Sequence, residues 1–279
     1  MHVIATAGHV DHGKSALVRA LTGMEPDRWA DEQRRGMTID LGFAWTELAD
    51  VGEVAFVDVP GHERFVTNML AGVGPIPAAL VAVAADEGWK PQTDEHVQAL
   101  DALGVRHAVL AVTKSDLADP APVTADARER LLDTALGSVD AVAVSARTGS
   151  GLDHLRLALG LLLRRLPPPD VAAPVRLWVD RAFTITGAGT VVTGTLTAGR
   201  LRVGDELCLE PGGRPVVVRA LQSLNRAHEQ VAAPARVAVN LRGVDRADVR
   251  RGAALVTPAS FATVDVVDVA ISRPAAATR

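Results

Sequence analysis

The stretch "GHVDHGKS" (residues 8–15) has the spacing G-x-x-x-x-G-K-[ST]. It is preceded by the apolar run "HVIATA" and followed by "KSALVRALTG", whose apolar residues recur at helical spacing. A strand, a glycine-rich turn and a helix are the context in which this spacing cradles phosphate. Gly8 and Gly13 let the backbone curl so that its N–H groups surround phosphate oxygens, and the helix adds the positive end of its dipole. Asp11, His12, Gly13, Lys14, Ser15 and Ala16 are therefore candidate nucleotide contacts. Lys14 is placed to reach the β- and γ-phosphates and Ser15 to bind Mg²⁺.

Working outward, "VDVPGH" (57–62) ends a second buried apolar run. Asp58 can hold the Mg²⁺ through water, the Gly61 N–H can meet a γ-phosphate, and Pro60 stiffens the turn. His62 stands where a water-orienting side chain is needed, because phosphoryl transfer relies on positioning and charge neutralisation. Between the two motifs, "RRGMTIDLG" (34–42) offers Thr38 as a ligand that closes on Mg²⁺ and γ-phosphate only in the triphosphate state. "AVTKSDLAD" (111–119) carries the base pocket, with Thr113 where an Asn is usual. Asp116 can accept two hydrogen bonds from the N1 and N2 edge of guanine, a donor pair that adenine lacks. Lys114 can lay its aliphatic stem along the base. Thr113 keeps one hydroxyl to brace the pocket against the phosphate loop. In "VSARTG" (144–149), the Ser145 and Ala146 N–H groups are expected to meet guanine O6.

Five near-continuous apolar runs, "HVIATA", "EVAFVDV", "AALVAVAA", "HAVLAVT" and "DAVAVSA", alternate with helical patterns over residues 1–168. This predicts an α/β P-loop GTPase domain with a mostly parallel, doubly wound sheet. "PPPD" (167–170) stops the last helix and reads as a stiff linker. Residues 169–260 hold short β-rich runs separated by Gly, Pro and Asp turns, which predicts a small β-barrel. A last alternating run, "ATVDVVDVAIS" (262–272), is read as a strand, so that 261–279 begins a truncated third β domain.

Of the 279 residues, 48% are hydrophobic, enough for a real core and against general disorder. A single cysteine, Cys208, excludes an internal disulfide and suits a reducing, cytoplasmic setting. Cys208 itself is read as a small core residue. No apolar run reaches the ~20 residues of a membrane span, so no membrane partner is expected. A net charge of −4 argues against a generally basic nucleic-acid coat.

The segments "ATAGHVDHGKS", "DRWADEQRRGMTIDLGFAW", "DVPGHERFVTNMLAGVG", "ADEGWKPQTDEH", "VTKSDL" and "VDRAFTITGAGTVVTGTLTAG" carry a resemblance that runs to about residue 272. The chain resembles the translational GTPases, and most specifically the selenocysteine-specific elongation factors. Thr113 and "RGMTIDLG" set it apart from elongation factor Tu. The resemblance implies that His62 is catalytic, that Val10 and Met37 flank the path of the hydrolytic water, and that Asp11 helps hold a monovalent cation. It also implies GTP as substrate and GDP as product, with selenocysteyl-tRNA and the ribosome as partners. An mRNA hairpin would be reached only through C-terminal modules that this chain lacks. A monomer is expected.

Such a factor must take selenocysteyl-tRNA and refuse the seryl precursor. A selenol is acidic enough to be an anion near neutrality, whereas a hydroxyl stays neutral, so charge discriminates better than size. The expected pocket is Arg181 and Arg236 for the selenolate, with Asp180 orienting an arginine or the aminoacyl amine. The bland alternative for these three is a salt bridge on the barrel surface. Two functional alternatives stay open: another translational GTPase of the elongation factor Tu type, or a nucleotide-gated binding module with negligible turnover.

Overall fold

A computed structural model describes residues 1–26, 41–59, 76–262 and 264–269. Strand β1 (His2–Ala7) leads into helix α1 (Lys14–Thr22), and β2 (Gly42–Leu48) and β3 (Gly52–Asp58) form a hairpin. Then follow β4 (Ala78–Ala84), α2 (Pro91–Ala102), β5 (His107–Thr113), α3 (Ala121–Leu132), β6 (Asp140–Ala143) and α4 (Leu152–Arg165). The six strands form one sheet in the order β2-β3-β1-β4-β5-β6, parallel except for the antiparallel β2–β3 pair. Every residue of β4, "AALVAVA", is buried, as a central strand covered on both faces requires. The helix α4 lays Leu155, Leu159, Leu162 and Leu163 onto one face of the sheet. Burying each of these stabilises the domain by about 1.5–3 kcal/mol. The helices α2 and α3 cover the opposite face through Val97, Leu100, Ala127 and Leu131.

The order reverses beside β1: β3 lies on one side and β4 on the other. The loops leaving the C-terminal ends of β1, β3 and β5 therefore gather where an open α/β sheet places its ligand.

The second unit contains β7 (Arg176–Trp178), β8 (Arg181–Ile185), β9 (Gly189–Leu196), β10 (Arg200–Arg202), β11 (Glu206–Glu210), β12 (Arg214–Ser223), β13 (Arg226–His228), β14 (Gln230–Ala232), β15 (Ala235–Arg242) and β16 (Ala254–Val256). Strands β11-β16-β7-β9-β15-β12 pair in turn, and β12 returns to β11 to close a six-stranded antiparallel barrel. Alternating valines and leucines, among them Val192, Leu207, Leu209, Val218, Val237 and Val239, fill its interior. Gly194 is required where β9 crosses β7, because an added Cβ would lie 2.4 Å from the Trp178 carbonyl oxygen.

The run 175–185 forms two strands, broken where Asp180 turns inward. Two readings need correction. Cys208 is half-buried, since alternation sends Leu207 and Leu209 inward and leaves it on the other face. Residues 264–269 form no strand; Val264, Val266, Val267 and Val269 are exposed, because one strand without a partner ladder is not stable. Among the described residues no helix is long and apolar enough to cross a membrane.

Candidate nucleotide site and barrel pocket

The phosphate loop is shaped by steric need. Gly8 has φ 127°, and an added Cβ would lie 2.2 Å from the Ala82 carbonyl oxygen on β4. No other residue fits. Gly13 is left-handed (φ 72°) and precedes α1 without a side-chain cap, and the first turn holds no acidic residue. The helix N-terminus is thus left for an external anion. The Lys14 ammonium donates to the carbonyls of Gly8 (2.9 Å) and His9 (2.8 Å), spanning the loop while almost wholly buried. Val10 is half-buried, Asp11 is exposed, and Ala16 lies in the first turn of α1.

Asp58, at the end of β3, is fully buried. Thr6 donates its hydroxyl to Asp58 Oδ1 at 2.7 Å and accepts the Val59 N–H at 3.1 Å. Burial raises the Asp58 pKa; the Ser15 hydroxyl and the Lys14 charge only offset this. Asp58 Oδ2 has no hydrogen-bond partner among the described residues. A buried carboxylate with an idle oxygen beside a serine hydroxyl fits Mg²⁺, which would supply the missing positive charge. No cluster of three or more His, Cys, Asp or Glu suited to a metal occurs among the described residues. Met37, Thr38, Gly61 and His62 lie outside the described residues.

The base loop reaches the phosphate loop through one bond: Thr113 Oγ1 donates to the His12 carbonyl at 2.8 Å. Lys114 adopts φ 53° and pairs with Glu87 at 2.8 Å and Asp86 at 3.4 Å, holding the Glu87 carboxyl below its ordinary range. Asp116 Oδ2 accepts Arg147 Nε at 2.9 Å; the Ser145 hydroxyl first, then Arg147, depresses the Asp116 pKa. The Ser145 N–H donates to the Ser150 carbonyl at 2.9 Å. The Ser145 amide is thus engaged within its own turn, its hydroxyl acts on Asp116, and Ala146 is half-buried.

Two groups on α2 were missed by sequence reading. Gln92 Oε1 accepts the Val10 N–H at 3.4 Å, and His96 Nδ1 accepts the Gly8 N–H at 3.1 Å. They are four residues apart, hence on one helix face, and that spacing was the available signal. His96 and His12 are both buried. Burial, ahead of smaller contributions that include Lys14, lowers His96 to about 3 and His12 to about 4. Both are neutral when folded, so the unfolded chain binds more protons below pH 6.5. Stability is full above about 6.5 and falls as pH drops, by about 1.4 kcal/mol per unit for each histidine. The fall continues to about 4 for His12 and about 3 for His96. Urea unfolding between pH 6.5 and 5 should show this slope, and His96→Leu should remove about half of it; an unchanged slope would refute the assignment.

In the barrel, Asp180 and Arg236 are buried together. Arg236 grips Asp180 with both terminal nitrogens, one of the bonds being Nη2 to Oδ1 at 2.7 Å, and Thr193 donates to the same Oδ1 at 2.6 Å. The Asp180–Arg236 pair is therefore buried rather than set on the barrel surface. Arg181 donates to the Leu41 carbonyl of the nucleotide domain. Phe43, on β2, receives both guanidiniums: Arg236 Cζ lies 3.8 Å and Arg181 Cζ 5.3 Å from its ring centre. The pocket residues thus converge on the seam between the two units.

Residues 1–168 match the family described as the elongation factor Tu GTP binding domain. The chain is 43% identical over 270 residues to a selenocysteine-specific elongation factor from Desulfomicrobium baculatum, covering 96% of this chain and 43% of that protein. A crystal structure of a bacterial selenocysteine-specific elongation factor, EF-Sec, superposes with TM-score 0.86 at 36% identity, covering 92% of this chain and 45% of that one. The elongation factor SelB from Methanococcus maripaludis, in complex with the GTP analogue GppNHp, gives TM-score 0.81 at 31% identity over 92% of this chain and 55% of its own. The chain spans less than half the length of the curated selenocysteine-specific relative. With 168 of its residues matching, the chain belongs to the elongation factor Tu GTP-binding-domain family, that of the translational GTPases.

Proposed function

We propose that the chain is the GTPase and first barrel portion (1–168 and 169–260) of a selenocysteine-specific elongation factor. It hydrolyses GTP to GDP and carries selenocysteyl-tRNA to the ribosome at recoded UGA codons, in the cytoplasm. The observation that carries this reading is the convergence of Arg181 and Arg236 at the seam with the nucleotide domain, with Asp180 fixing Arg236. A guanidinium about 4 Å from a selenolate gains roughly 4 kcal/mol at an effective dielectric near 20, before desolvation is subtracted. A neutral serine hydroxyl gains far less.

Within the nucleotide site, Lys14 and the amides of the phosphate loop neutralise the β- and γ-phosphates. Ser15, Asp58 and Thr38 hold Mg²⁺, which supplies charge neutralisation when bound. His62 orients the attacking water, Val10 and Met37 border its path, and Asp11 helps hold a monovalent cation. Asp116 and Lys114 select guanine.

The test is single-turnover hydrolysis of GTP with and without ribosomes, together with competition between seryl- and selenocysteyl-tRNA for the GTP-bound chain. Ribosomes should raise the rate on the order of 10³-fold, as partner-completed GTPase sites do, and the selenocysteyl form should win the competition. Equal rates would make the chain a nucleotide-gated binding module, and equal tRNA affinities would remove the selenocysteyl assignment.

A further inference from the structure

A cavity of about 550 Å³ opens on the barrel wall, away from both sites described above. Its sides are the linker residues 171–175, Arg200 and Arg202 of β10, Asp205, and Thr257 just past β16. The wall is firmly built. Asp170 Oδ1 accepts the N–H groups of Ala172 (2.9 Å) and Ala173 (3.1 Å), and the Asp170 carbonyl accepts that of Gly199 at 2.7 Å. Gly199 has φ 77°, and a Cβ there would lie 2.6 Å from the Ala173 carbonyl oxygen, so the linker is seated directly on the turn before β10. Val175 and Thr257 close the far side, the Val175 N–H donating to Thr257 Oγ1 at 2.8 Å and the Thr257 N–H to the Val175 carbonyl at 2.9 Å.

Into this fixed frame the chain sets two guanidiniums, neither of which has an ion pair among the described residues. Arg200 Nε is out of solvent and has no hydrogen-bond partner among the described residues. Arg202, which is exposed, donates through Nε to the neutral Gln230 Oε1 at 3.0 Å. Asp205 is the carboxylate in the lining, and its Oδ2 is engaged by the Arg202 N–H at 2.7 Å. A buried donor with no acceptor is costly to keep unless something occupies it. Two arginine side chains lining one cavity suit a tetrahedral oxyanion, which can accept from both at once.

We propose that this cavity is a phosphate-binding site held by Arg200 and Arg202, distinct from the nucleotide site. The phosphate comes either from an RNA backbone or from a free phosphoanion.

The test uses the whole chain saturated with GDP and Mg²⁺, so that the phosphate loop is filled. Inorganic phosphate, a 12-nucleotide RNA and acetate are titrated separately at constant ionic strength, and the arginine Nε–Hε resonances are followed by NMR. Saturable shifts of Arg200 and Arg202 with phosphate or with the RNA are expected, and which of the two acts names the source. Arg200→Gln with Arg202→Gln should weaken that binding at least tenfold, Arg219→Gln should leave it unchanged, and Arg200→Lys should restore part of it. Hydrogen exchange of the β9 and β15 amides reports whether the barrel of each variant is folded. No saturable shift with either phosphate source, an equal response to acetate, or unchanged affinity in a folded double variant would overturn the site.

Discussion

Asp116→Asn is expected to abolish the preference for guanine nucleotides and to create one for xanthine nucleotides. A carboxylate at this position accepts from guanine N1–H and N2–H₂ together, and an amide offers one acceptor and one donor. The new donor faces the guanine amino group, so two donors oppose each other in a confined site. Xanthine carries a carbonyl at position 2 and turns the same donor into a bond. Sites built around such a polar pair reject the mismatched analogue by about 10⁴–10⁵-fold. Calorimetry should therefore show GDP affinity falling on the order of 10⁴-fold and XDP binding at least tenfold tighter than GDP. The wild-type carboxylate is kept in its accepting form by the Ser145 hydroxyl and then by Arg147, which depress its pKa below the ordinary value of 3.8. Guanine selectivity in the wild type should accordingly persist from neutral pH into the acid range until the histidine-linked unfolding intervenes. GDP affinity that survives the substitution would mean that Asp116 does not read the base.

Much of this arrangement is legible in the sequence, because its strongest signals are local. The phosphate loop follows from glycine spacing between a strand and a helix, and β1, β4 and β5 follow from apolar runs that no half-exposed strand would carry. The base loop follows from Thr113, Lys114 and Asp116 in one short stretch. What stayed hidden depends on partners far apart in the chain. Strand β2, "GFAWTEL", mixes apolar and polar residues because it is the antiparallel edge of the sheet, and its identity comes from pairing with β3. The short strands β10, β13, β14 and β16 each have three residues, too few for a periodic pattern. His96 and Gln92 look like ordinary polar residues of a helix until α2 is laid against the phosphate loop. Phe43 carries no motif signal, and only the seam between the two units shows both Arg181 and Arg236 against its ring. The Ser145 amide is claimed by Ser150 through a tight local turn that residue type alone does not specify.

The same seam makes Arg236→Met the most damaging substitution expected in the barrel. Arg236 is 9% exposed and Asp180 1% exposed, and the two share two hydrogen bonds. Removing the guanidinium leaves the Asp180 carboxylate with the Thr193 hydroxyl at 2.6 Å and without its bidentate partner. Stranding one member of a buried pair costs about 3–5 kcal/mol, whereas replacing both with well-packed neutral groups is often close to neutral. Hydrogen exchange resolves the effect by domain. Amides of β15, next to Arg236, should lose about 3–5 kcal/mol of protection, and those of β4 in the nucleotide domain should keep theirs. Asp180→Asn combined with Arg236→Met should recover most of the loss, giving a coupling energy well above what distant sites show. Arg181→Met serves as the contrast. Its guanidinium sits at the half-buried edge against Leu41 and Phe43, outside the Asp180–Arg236 pair, so the barrel should keep its protection while selenocysteyl preference falls. If Arg236→Met costs less than about 1 kcal/mol, a typical hydrogen-bond increment, then water or a neighbouring group already neutralises Asp180. The pocket would then lack the fixed arginine on which reading a selenolate depends.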